Sequence, residues 1–200
     1  MIKIKLRNIF EIKTGILIKK ELRGQLGHKI IYPKDIDEFY DINFDFLENY
    51  GEIKTFFKNK LQINDILLET KDPFRVTILK DPNILNCGLL ASSNFIILRK
   101  IIFLENNNKY NPDLICAVLK SKSIRKIFKK YTEDKLVINQ YEVGEIDIPD
   151  LSNDEMEILI ETIQSFYKRK KIMLSLKKEL EYNLTEDNKK LLYKINKYIK

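Results

Sequence analysis

The 200-residue chain predicts an α+β fold, and three observations carry that reading. Short apolar and β-branched runs, punctuated by Gly and Pro, fill most of residues 2–98. A helix opened by a turn proline is expected over 112–131, and a second helical pattern starts at Ser152 and runs on without Gly or Pro. Strands gathered ahead of helices, instead of alternating with them, favour α+β over a parallel α/β sheet.

The first β segments lie within 2–18, where Ile2, Ile4 and Leu6 alternate with Lys3, Lys5 and Arg7, and Gly15 precedes Ile16-Leu17-Ile18. Leu22 to Lys34 holds Gly24, Gly27 and Pro33 and reads as loop and strand ends, with His28 a surface or loop residue. Asp35 to Tyr50 mixes Phe and Ile at spacings that fit strand or helix alike. Residues 53–80 are strand-rich again, with the triplet Ile66-Leu67-Leu68, punctuation at Pro73, and the run Val76 to Leu79. Asp81-Pro82-Asn83 is a turn before a strand from Leu89 to Leu98.

Asn106-Asn107-Asn108 is a loop, and Asn111 then caps the helix of 112–131. Leu114, Val118, Ile124, Ile127, Phe128 and Tyr131 form its buried stripe, while Lys122, Arg125, Lys126, Lys129 and Lys130 face outward. Glu145 to Leu151 contains a short strand closed by Pro149. Ser152 or Asn153 caps a helix reaching about Asn183, with Glu155 placed three residues after Ser152 as in a capping box, and Leu159, Ile163, Phe166, Met173, Leu176 and Leu180 lie near a 3–4 repeat interrupted by Lys170. Thr185 is expected to cap a separate terminal helix carrying Leu191, Leu192, Ile195 and Ile199. Such an apolar seam calls for a partner helix.

Hydrophobic residues make up 44% of the chain, with 10 Tyr and 11 Phe, enough for a sizeable core. No stretch approaches the roughly 18 apolar residues of a membrane span, and no signal-peptide pattern opens the chain, so a cytoplasmic protein is expected. Cys87 and Cys116 sit in apolar runs and read as buried thiols.

The net charge is +7, all of it supplied by Lys168–Lys200, where 11 basic residues face 4 acidic ones. Charges segregate elsewhere too: Lys120–Lys130 holds six basic residues and no acidic one, and Asp35–Glu52 holds seven acidic and no basic one. Segregation of this kind suits a phosphate-facing surface, and equally suits solvated faces that keep the protein soluble.

The ordered set of motifs resembles the target-recognition half of a type I restriction-modification specificity subunit. The opening strand and turn are Leu6-Arg7-Asn8-Ile9-Phe10-Glu11-Ile12-Lys13-Thr14-Gly15. A "Gly-Asp-Ile-Leu" strand is matched by Leu61-Gln62-Ile63-Asn64-Asp65-Ile66-Leu67-Leu68, with Asn64, which tolerates positive backbone angles, in place of Gly. The Ala91-Ser92-Ser93 to Arg99 segment, the Pro112 helix, and Ile148-Pro149 leading into the long helix follow in order. Tyr131-Thr132-Glu133-Asp134 stands where the family has a Gly turn.

The resemblance implies a β-rich target-recognition domain with a packed helix at 1–150. A long coiled-coil-like helix and a terminal helix at 151–200 would then serve spacing, dimerisation and partner docking. It further implies a non-catalytic reader of double-stranded DNA. This reader directs methyltransferase subunits, and in the full complex a restriction (motor-nuclease) subunit, to a bipartite site. A single recognition domain looks like a half-length subunit that a homodimer would complete, with a fragment of a longer product as the alternative.

Candidate DNA-binding residues are Lys19, Lys20, Arg23, Gln25 and Lys29 in one loop, Lys71 and Arg75 after the Leu68 strand, and Lys122, Arg125, Lys126 and Lys129 on the helix. The catalytic rival is a metal-dependent nuclease using Glu69 and Lys71, with Asp45 or Asp35 as a further oxygen ligand. A coiled-coil adaptor is the third reading. No His/Cys metal set is expected, because His28 is the sole histidine. No glycine-rich nucleotide loop is present, so no cofactor is expected and a methyltransferase partner would supply its own.

Overall fold

A computed structural model describes residues 3–17, 23–36, 42, 47, 49–50, 56–82, 88–101, 110–149 and 152–198. The chain divides into two compact units, Met1–Met156 and Glu157–Lys200. The first unit mixes strands and helices in the α+β manner.

Its centre is an antiparallel sheet in the order β2 (Phe10–Thr14), β8 (Phe95–Lys100), β5 (Ile66–Glu69), β6 (Val76–Ile78). β5 is buried along its whole length, and so are the first four residues of β8. Strand alternation therefore feeds two cores. Ile66, Leu68, Ile96 and Leu98 point into one, which also holds Ile115, Leu119, Ile124 and Phe128 from the helices. Leu67, Phe95 and Ile97 point into the other, shared with Ile31, Leu61, Leu79 and Leu89. A strand apolar on both faces is what a twice-covered sheet demands.

Behind the second core, β3 (Arg23–Ile31) pairs with β4 (Asn49–Tyr50) and runs parallel to β7 (Leu89–Ala91). The expected loop at 22–34 is thus mostly a nine-residue strand. Gly24 and Gly27 do not end it; the register instead shifts between Arg23 and His28, both opposite Tyr50. His28 is half-buried in that strand, not in a loop. The expected strand from Leu89 to Leu98 is likewise two strands, which turn at Ser92–Asn94 and pass from one sheet to the other.

The helix expected over 112–131 is also two. α2 (Pro112–Leu119) is capped by Asn111, whose side chain accepts from the Asp113 N–H at 2.8 Å, and α3 (Lys122–Tyr131) restarts because Ser121 takes an extended conformation and its hydroxyl accepts from the Ile124 N–H. The buried stripe holds at Leu114, Ile124 and Phe128, whereas Ile127 is 37% exposed. A short α1 (Phe56–Asn59) and α4 (Gln140–Gly144) are further helices among the described residues of this unit. Cys116 is buried, and Cys87 lies outside the described residues.

β1 (Lys3–Lys5) pairs with β9 (Asp147–Pro149) and not with β2. Lys5 Nζ meets Asp147 Oδ1 at 2.7 Å and donates to the Glu145 carbonyl at 2.8 Å. The Lys5–Asp147 hydrogen bond holds the Asp147 carboxyl below the usual carboxylate range and raises Lys5. A depressed carboxyl contributes stability above its unfolded pKa of about 4 and loses it as the pH falls through the folded value. Asp147→Asn is therefore expected to flatten the acid side of the stability profile and leave the slope near neutrality unchanged, as read from urea midpoints between pH 2.5 and 7.

α5 (Asn153–Tyr198) is one helix of 46 residues. Ser152 and Glu155 form the expected box: the Ser152 N–H donates to Glu155 Oε2 at 2.9 Å, and the Glu155 N–H donates back to Ser152 Oγ. Those bonds hold the Glu155 carboxyl below its ordinary value. The separate terminal helix expected after Thr185 is corrected here. Thr185 donates its hydroxyl to the Glu181 carbonyl at 2.8 Å, one turn back within the same helix, so it caps nothing. Among the described residues no helix is long and apolar enough to cross a membrane.

Candidate nucleic-acid interface

Two turns fix the ends of β5. Asn64 takes φ 68°, the left-handed geometry that a Gly would supply, and its N–H donates to the Leu79 carbonyl. Asp65 follows, only 1% exposed, and Arg99 of the neighbouring β8 engages both its oxygens, at 2.9 and 2.7 Å. Arg99 also donates to the Lys60 carbonyl at 2.8 Å, and Asp65 Oδ2 accepts from the Gln62 N–H. Two motifs recognised separately in sequence thus meet as one ion pair, and neither side chain is available to a ligand. A strand register places them opposite each other, and no local pattern signals that.

At the other end of β5, Arg75 Nε donates to Glu69 Oε2 at 2.8 Å, Nη2 approaches Glu69 Oε1 at 3.3 Å, and Nη1 donates to the Ile36 carbonyl at 3.0 Å. Arg75, a candidate for reading DNA, is thus already tied to the 69–75 turn. Glu69, the proposed metal ligand of the nuclease alternative, faces a guanidinium. Asp35 accepts from the Tyr32 N–H, Asp45 lies outside the described residues, and no group of three His, Cys, Asp or Glu that could hold a metal occurs among those described. Glu69, the acid of the strand-end Glu-x-Lys pattern, is thus held in an ion pair with Arg75, and Lys71 is not its partner.

The remaining candidates separate onto two sides of the central sheet. Lys19 and Lys20 lie outside the described residues. Arg23, Gln25 and Lys29 are positions of β3, in the sheet over the second core, with Lys29 half-buried opposite Asn49 and Leu89. Lys122, Lys126 and Lys129 are exposed on α3, over the first core, and Arg125 is half-buried beside them. Lys71 is exposed in the turn after β5. That turn abuts the end of α3: the Phe74 and Phe128 rings stand 5.4 Å apart, and Lys129 lies 4.0 Å from Asp72.

α3 is stable because its apolar side is buried. Lys129 and Lys130 suit its C-terminal dipole, whereas Lys122 in the first turn opposes it. Lysines at 122, 126 and 130 repel one another at four-residue spacing, by about 0.2–0.5 kcal/mol per pair. Sequence reasoning did not include Lys130 or Leu136 among the site residues. Leu136 is 84% exposed in the loop after α3, and only its position beyond a helix end and before buried Ile138 would have marked it.

No family model and no curated protein matches the sequence. Solved structures do match the fold. A chain from a structure of the assembly and conformational transition of the type I R-M system aligns with a TM-score of 0.60 at 9% identity, covering 84% of this chain and 38% of its own. The HsdS subunit from Thermoanaerobacter tengcongensis gives 0.58 at 9% identity, covering 84% and 37%. The type I restriction-modification S subunit from M. genitalium gives 0.50 at 15% identity, covering 84% and 41%. This chain thus spans about two fifths of the length of the subunits it matches. The fold of this chain is thus similar to that of type I restriction-modification S subunits.

Proposed function

We propose that the chain is a non-catalytic, sequence-reading DNA subunit of a type I restriction-modification system. It directs a methyltransferase, and in a full complex a restriction subunit, to a bipartite site. The observation that carries this reading is the fold likeness over 84% of the chain. The basic face of α3 supports it, and the pairing of Glu69 with Arg75 weighs against the metal-dependent nuclease alternative.

Dimerisation through α5 belongs to the same proposal. Leu159, Phe166, Met173, Leu176, Leu180 and Leu184 are all exposed on the helix at mainly three- and four-residue spacings. Pairing with a second copy would cover this seam and bring two half-sites together. Light scattering of the full chain is expected to give twice the 23.8 kDa chain mass, and Leu180→Glu is expected to halve it.

The decisive test is selection of bound sequences from a random duplex pool with the methyltransferase subunit present. Enrichment of one split sequence is expected; a pool that stays random after repeated rounds sinks the proposal. The adaptor reading predicts partner binding with no enriched sequence.

A further inference from the structure

We infer that duplex DNA is gripped on a face built from α3, the 71–73 turn and the 132–137 loop, with Lys71, Lys122, Lys126, Lys129 and Lys130 on phosphates and Leu136 against the bases. The inference rests on the DNA-reading function proposed above and gives it a surface and a division of roles.

Charge is the first argument. Among the described residues Lys122, Lys126 and Lys130 meet no carboxylate within ion-pair distance, and Lys129 meets only Asp72, at 4.0 Å with both side chains well exposed. Elsewhere in the same unit several lysines do meet a carboxylate closely: Lys5 with Asp147 and Lys80 with Asp113 at 2.8 Å or less, and Lys135 with Glu142. A ten-residue helix that exposes four lysines, of which only Lys129 nears a carboxylate among the described residues, is complementary to a polyanion. Lys122 and Lys129, seven residues apart, stand about 10.5 Å apart along the axis. The row therefore reaches more than one phosphate.

Geometry is the second. The 132–137 loop is fixed at both ends: the Thr132 hydroxyl donates to the Phe128 and Lys129 carbonyls, and the Ile138 N–H donates to the Thr70 carbonyl at 2.9 Å. Lys71 is the next residue after Thr70, so this bond brings the loop and the 71–73 turn to one edge, beside the end of α3. Leu136 is thus held out in solvent on a short anchored loop that also carries the exposed Glu133 and Asp134, while Ile138 two residues on is buried. An apolar side chain so placed cannot bind phosphate, but it suits a thymine methyl or the face of a base step. Lys29 lies over the opposite side of the central sheet and is not part of this grip.

The test compares full-chain variants, with the methyltransferase subunit present, on a random duplex and on the selected duplex over a salt series. The triple change Lys126→Gln, Lys129→Gln and Lys130→Gln is expected to weaken both duplexes alike and to lower the log–log salt slope by about 2–3, near 0.9 per lost phosphate contact. Leu136→Ala is expected to leave the slope unchanged and to reduce the preference for the selected duplex about tenfold, the scale of one lost base contact. Both changes are on exposed side chains, so circular dichroism should be unaltered, and Lys29→Gln should leave both readouts at wild-type values. An unchanged slope in the triple variant overturns the inference even while the wild type selects its sequence. So does a triple variant that keeps DNA binding and loses the methyltransferase. Failure of the wild type to select any sequence is the separate result that removes the function itself.

Discussion

Arg99→Met is expected to destabilise the protein by about 3–5 kcal/mol, because it leaves Asp65 buried and without its cation. Asp65 cannot recover solvent: it is 1% exposed, and its carboxylate is fixed by the Gln62 N–H as well as by Arg99. Most of the cost comes from that stranded charge, not from the attraction lost. The double variant Asp65→Leu with Arg99→Met is therefore expected to be far less harmful than Arg99→Met alone. Urea unfolding of the two single variants and the double one measures the coupling. A single-variant loss under about 1 kcal/mol would show that the pair is hydrated and only loosely held. The arrangement also explains why an Asp precedes β5 and an Arg lies toward the end of β8: the pair fixes the register of the two innermost strands, Ile66 opposite Leu98.

Local features of this fold were legible in the chain, and long-range ones were not. Asn111 with Pro112, Ser152 with Glu155, and Asn64 in place of Gly each act within four residues, so spacing alone identifies them. Ser121 and Thr185 show where local reading stops. Both carry hydroxyls in helical surroundings, but Ser121 caps a new helix while Thr185 bonds back to Glu181 inside an existing one. A hydroxyl serves either role, and packing decides. Below Ser121 the buried stripe of α3 aligns with the core through Ile124 and Phe128, which favours a restart there. α5 has no such constraint at Thr185, whose neighbours are exposed.

The same limit governs the site. Counting charges located the basic helix, since six cations in eleven residues need no fold to be seen. It did not show that β3 and α3 cover opposite faces of one sheet, because that follows from which residues of β5 and β8 point each way. Nor did it show that Arg75 is tied to Glu69, although only six residues separate them. The intervening turn, with Phe74 at φ 51° and its ring against Phe128, brings the two side chains together.

Gly15→Ala is expected to cost about 3 kcal/mol or more, since a methyl there has nowhere to go. An ideal Cβ at Gly15 would lie 2.1 Å from the Ser92 carbonyl oxygen and 2.6 Å from that of Ala91, and both obstacles are backbone. That backbone cannot retreat easily. The Gly15 N–H donates to Phe95 O at 2.9 Å, Ile16 N–H to Ala91 O at 2.9 Å, and Ser93 N–H to Ile16 O at 2.8 Å, while Ser92 N–H holds Ile31 O of β3. The chain after β2 is thus laced to the turn where β7 becomes β8, the point at which the two sheets join. Gly144→Ala is the informative contrast: its Cβ would meet only side-chain carbons, Arg7 Cβ at 3.2 Å and Ile12 Cδ1 at 3.6 Å, and its helical setting favours Ala by about 0.5–1 kcal/mol. Ser92→Ala is a second contrast, because the buried Ser92 hydroxyl has no hydrogen-bond partner among the described residues and its removal should be neutral or slightly stabilising. Thermal midpoints for the three variants should therefore fall sharply for Gly15 and stay near wild type for the others. A Gly15→Ala protein as stable as Gly144→Ala would mean that the junction yields, and that the sheets are joined by side-chain packing alone. If the junction is as tight as its bonds indicate, the opening strand-and-turn motif and the Ala91-Ser92-Ser93 motif mark the fold because each needs the other's backbone at van der Waals contact. Both are then scaffold, and the surface proposed to meet DNA lies outside them.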